Sequence, residues 1–122
     1  MTPEKALELV GRYARLTAQI KDCKARIGDS LELCNGISGK RNEPMAHRET
    51  DSKNRELDVH LTQWYTPDWQ GDYGDQPVYD DIGEWSAEEC PHCYAAHLAI
   101  QERKAARKAL GYVKATISRS HK

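Results

Sequence analysis

At 122 residues, with 30% charged side chains and a mean hydropathy of −0.83, the chain has room for one domain and a modest core. No apolar run approaches the roughly 18 residues that a membrane-spanning helix needs, and the charged N-terminus lacks the core of a signal peptide. The expected setting is therefore cytoplasmic, where structural disulfides are disfavoured and paired cysteines point to metal or catalysis. The net charge of −1 conceals an asymmetry: residues 56–102 carry eleven acids and no Lys or Arg, whereas residues 103–122 carry seven Lys/Arg and no acid.

Residues 3–34 read as a long helix. Thr2 can cap it, Pro3 suits its first position and Glu4 lies in its positive first turn. Val10, Tyr13, Leu16, Ile20, Cys23, Ile27, Leu31 and Cys34 recur in steps of mostly three and four, a seam for a partner helix or for a second copy of the chain. Asn35-Gly36 stops it. Residues 35–55 lack periodicity and are expected to form a mobile loop. Leu57, Val59 and Leu61 alternate with polar residues, which predicts a short strand, although a helix over 52–63 also fits. "QPVYDDI" can supply a second strand, with "TPDWQGDYGD" as the turn. A second long helix is predicted over 91–118, with Pro91 at its first position and Cys90 just outside. Ser86 and Glu89 match a capping pattern that would start it earlier. Its inward positions are Cys93, Ala96, His97, Ile100, Ala106, Leu110, Val113 and Ile117, with Arg103 interrupting them. The predicted class is α+β, mainly α: two long antiparallel helices joined by an acidic, aromatic insertion.

The segment "ECPHCYAAH" carries the chemistry. An antiparallel pair brings Cys34 to Cys90 and Cys93, and His97 shares the Cys93 face one turn on. Cys34, Cys90, Cys93 and His97 make a Cys3His set suited to a structural zinc ion. His60 or His47 is the alternative fourth ligand. Cys23 lies 11 residues before Cys34, about 16 Å along a helix, and reads as a core residue.

Cys90-Pro91-His92-Cys93 also resembles, residue for residue, the active-site tetrapeptide of the DsbA-type thiol oxidants. The resemblance implies an attacking Cys90 and a resolving Cys93. It stops at four residues: only 29 follow Cys93, they read as helix, and no later proline can stand opposite the pair. Dithiol chemistry would need another scaffold. No nucleophile–base pair or cofactor loop points to any other enzyme.

Two further surfaces stand out. The insertion joins aromatics to acids, and Trp69, Tyr73, Asp75, Tyr79, Asp80 and Asp81 are its candidate face for a protein partner with a basic surface. Trp64 and Trp85 are expected to pack beneath it. The basic tail offers Arg103, Arg107, Lys108, Lys114 and Arg119 to nucleic-acid phosphates, as the alternative. In general style the whole chain resembles the short, Trp-rich, charged helical accessory proteins of temperate phages and prophages. That resemblance implies a non-catalytic protein that binds and modulates another protein.

Overall fold

The computed structural model of the chain describes residues 1–34, 59–67 and 73–120. Helix α1 spans Pro3–Glu32, and Thr2 Oγ1 accepts the Lys5 amide at 3.1 Å to cap it. A single helical turn α2, Leu61–Trp64, runs into strand β1, Tyr65–Pro67, which pairs antiparallel with β2, Tyr73–Pro77. A short helix α3, Glu84–Glu89, precedes α4, Pro91–Ser120. No helix among the described residues is long and apolar enough to cross a membrane.

The two long helices form the predicted antiparallel hairpin. Cys34 meets Cys90 at one end, Cys23 Sγ lies 3.1 Å from Glu102 Oε2 further along, and Lys114 Nζ sits 6.0 Å from the centre of the Tyr13 ring near the other end. The seam on α1 is Leu9, Cys23 and Ile27 with half-buried Leu16, Ile20 and Leu31. Val10, expected in it, is 62% exposed, and Tyr13 is 40% exposed at its edge, its ring beneath Lys114 of α4. On α4 the buried stripe is Cys93, Ala96, His97, Ala99, Ile100, Arg103, Ala106 and Val113.

The main core lies entirely at the cysteine end. Val59, Leu61, Trp64, Tyr65 and Tyr73 from the insertion pack there against Ile27, Ala96 and Ile100. Burying rings such as Trp64 and Tyr65 supplies the apolar area that two helices alone lack. The predicted strand is corrected over its described residues, while 57–58 lie outside them: Val59 and His60 form a turn, and Leu61 opens α2 with Thr62 N donating to Val59 O. The hairpin exists but is shifted towards the middle of the segment assigned to its turn. The helix start is as predicted, because Ser86 serves its own short helix α3 and the chain is extended at Cys90 before Pro91. The expected loop at 35–55 lies outside the described residues.

Candidate metal centre

Four side chains from three separate parts of the chain converge at the open end of the hairpin. Cys34 follows the last turn of α1, where its amide bonds Leu31 O at 3.1 Å. His60 stands at the N-terminus of α2, held between buried Val59 and Leu61. Cys90 is the extended residue between α3 and α4, and Cys93 lies in the first turn of α4. One ligand atom from each can be chosen so that all four lie within 4.8 Å of one another. Cys34 Sγ is 3.2 Å from His60 Nδ1 and 3.8 Å from Cys90 Sγ. These are the spacings of groups that could share one ion, and the three cysteines are buried.

The local fold favours anionic sulfur at this point. The Cys93 amide donates to Cys90 Sγ at 3.4 Å, so Cys90 caps the helix that carries its neighbour. Cys90 and Cys93 also lie at the N-terminus of a 30-residue helix, its positive dipole end. Without a cation, Cys34 opposes the ionisation of both Cys90 and Cys93. Hydrogen bonding to Cys34 is the largest factor holding the protons on both Cys90 and Cys93, and burial adds to it. A bound cation reverses that balance, since a metal ligates thiolate rather than thiol.

His97 does not join this group. Four residues along α4 is about 6 Å of rise, and the Tyr65 ring from β1 occupies that level. Gln101 Nε2 donates to the Tyr65 hydroxyl at 2.6 Å, and that hydroxyl lies 2.8 Å from His97 Nδ1. The arrangement that satisfies all three has Nδ1 accepting from a neutral ring. Burial lowers the His97 pKa below its ordinary value of 6.5. The unfolded chain therefore takes up that proton first, and the His97 contribution to stability is whole above about pH 6.5 and declines as the pH falls below it. Urea unfolding across pH 5 to 8 should show a flatter acid limb for His97→Gln than for the natural chain. Identical limbs would remove His97 as the source.

The other predicted sites divide. Tyr73 is 3% exposed and belongs to the core, so it cannot contact a partner. Tyr79, Asp80 and Asp81 are exposed, Asp75 lies in β2, and Trp69 lies outside the described residues. Trp85, expected beneath the surface, is 43% exposed and makes edge-on contacts with Tyr79 at 5.9 Å and buried Trp64 at 5.7 Å. Its exposure was missed because an aromatic residue after an acidic loop reads equally as core or surface.

Arg103 is also corrected. It is wholly buried and its guanidinium donates to Tyr73 O at 2.6 Å, so it is unavailable to phosphates. Arg107, Lys108, Lys114 and Arg119 remain on the surface. Cys23 is buried as expected, its thiol raised first by burial and then by Glu102, which is also bridged by Arg26. No protein-family model, no curated protein and no solved structure matches this chain.

Proposed function

We propose that this is a non-catalytic protein whose helical hairpin is clasped by a structural zinc ion and which presents its insertion to a protein partner. The observation that carries the clasp is the convergence of Cys34, His60, Cys90 and Cys93, a donor set of three soft sulfurs and one imidazole in a closed, buried place. Zinc there supplies folding energy rather than catalysis, since four protein ligands leave no open position. It also calls for a compartment that keeps the thiols reduced.

Partner binding is supported by the surface next to the clasp. Val78, Tyr79 and Trp85 are 55%, 49% and 43% exposed, and Asp80, Asp81 and Glu84 border them. Aromatic anchors ringed by acids suit a partner with a basic surface. The nucleic-acid alternative loses Arg103 and keeps only scattered exposed cations on α4. Against the dithiol reading stands the burial of Cys90, which is 5% exposed where an attacking thiol needs access.

Cobalt titration tests the clasp. The reduced chain should take up one Co2+ with the intense thiolate-to-metal absorption and tetrahedral bands of a Cys3His site. His97→Ala should leave that spectrum unchanged, whereas His60→Ala should shift it and weaken binding by more than the roughly 10- to 100-fold that loss of an outer partner of a ligand costs. An octahedral spectrum, or one indifferent to His60→Ala, would end the proposal.

A further inference from the structure

The two exposed rings of the insertion stand at right angles to each other. Tyr79 and Trp85 are 49% and 43% exposed, with centroids 5.9 Å apart and planes at 88°. Each is held from behind. The amide of Val78, next to Tyr79, donates to Trp64 O at 2.6 Å, and the Trp85 ring meets buried Trp64 at 5.7 Å and 83°. Between them Ile82 packs on the core. Buried Ser86 bonds back to Gly83 O through both its amide and its hydroxyl, fixing the start of α3. A T-shaped pair leaves a re-entrant angle open to solvent. A cation seated there, against the face of one ring and above the other, lies about 5 Å from both centroids, inside the roughly 6 Å over which a ring attracts positive charge.

The charge around these rings is of one sign. Asp80 and Asp81 directly follow Tyr79, and the Asp81 carboxylate turns back to within 3.5 Å of the place a Cβ would take on Gly83. Glu84 precedes Trp85, while Glu88 and Glu89, three and four residues on, share its face of α3. All five acids are exposed, and no Lys or Arg occurs from 56 to 102. None of the five forms an ion pair among the described residues. We infer that the angle between Tyr79 and Trp85 receives one arginine side chain of the protein partner, an inference that rests on the insertion being the partner surface. A guanidinium offers a weakly hydrated flat face to a ring and in-plane N–H donors to carboxylates at the same time. A lysine ammonium must shed a tighter water shell to reach the rings. A fully methylated ammonium brings no donor for the acids, and an apolar side chain would desolvate carboxylates without pairing them. Only the guanidinium uses both the rings and their rim. Because Trp64 and Ser86 already hold the rings, docking orders little that was free.

Nuclear magnetic resonance titration of the full chain as purified tests it. The probes are two end-blocked pentapeptides, one with a central arginine between glycines and one with a central lysine. The arginine peptide should shift the ring signals of Tyr79 and Trp85 and bind at least about threefold more tightly than the lysine peptide. Tyr79→Leu and Trp85→Leu keep apolar bulk and should each weaken the arginine peptide by about three- to tenfold, erasing its advantage over lysine. Equal binding of the two peptides overturns the inference, as does an arginine preference indifferent to both leucine variants. Silence of both rings towards the arginine peptide overturns it too. An octalysine peptide at low salt then tells which reading has failed. If it binds, the acidic surface stands as a site for a basic partner without an arginine receptor; if it does not, the basic-partner reading falls with the inference.

Discussion

Removing metal from the proposed clasp of Cys34, His60, Cys90 and Cys93 is expected to unfold most of the molecule. Structural zinc in small domains binds with an apparent 10–16 kcal/mol, roughly, at neutral pH, comparable to or larger than the whole stability of a domain this size. A strong chelator under reducing conditions should abolish the near-ultraviolet signal of buried Trp64 and lower the melting temperature by tens of degrees. Cys93→Ser should reproduce that loss without chelator, because serine is a poor zinc ligand and the position is wholly buried. Cys23→Ala serves as the contrast. It removes a sulfur equally buried in the seam, should cost about 1 kcal/mol as a small core truncation, and should leave the chelator response unchanged. A chain that melts identically with and without chelator would make the four residues core packing and nothing more.

The second large effect centres on Arg103. Its guanidinium is buried under the hairpin and donates to Tyr73 O, joining β2 to the middle of α4. Arg103→Ala removes that bond and the packing of a long buried side chain, at an expected cost of about 1–3 kcal/mol for the carbonyl left unsatisfied, with the lost packing in addition. Arg103→Lys should recover little, since an ammonium on a flexible stem does not reproduce the planar, multi-donor guanidinium. Lys108→Ala, on the exposed side of the same helix, should stay within about 0.5 kcal/mol of the natural chain. Urea midpoints for the three variants decide the matter. Equal midpoints for Arg103→Ala and Lys108→Ala would return Arg103 to the surface.

Arg103 also shows where the sequence is silent. Periodicity placed it on the inward stripe of α4, and its charge argued for an interruption. The Tyr73 carbonyl that receives it comes from a strand 30 residues away, a contact that helical periodicity cannot reveal. His60 and His97 make the same point. Helical spacing legitimately put His97 on the Cys93 face, and it is indeed buried there. That spacing says nothing of Tyr65, which arrives from β1 and takes the ring. His60 had no local pattern to mark it, because its position depends on a turn pinned by Val59 and Leu61 across the tertiary fold. The helix ends at Thr2-Pro3 and Cys90-Pro91, by contrast, are local chemistry and were legible. So were Cys34, Cys90 and Cys93 as neighbours, since two long helices running antiparallel leave their ends few other arrangements.

The uneven distribution of the core makes this hairpin two materials in one. Between Cys23 and Cys34 on one side, and Cys90 and Arg103 on the other, each helix is backed by a third layer of rings. Opening any part of that region exposes all of it, so its backbone hydrogen bonds break only with the whole fold. Beyond it, Leu9, Ala106 and Val113 are the only wholly buried apolar contacts among the described residues, and the two helices can part there by local fraying. A partner bound at that far end would thus meet a compliant pair of helices, while one bound at the insertion would meet a rigid block. The first would lose entropy on docking and the second hardly any, so equal contact areas at the two ends would yield unequal affinities.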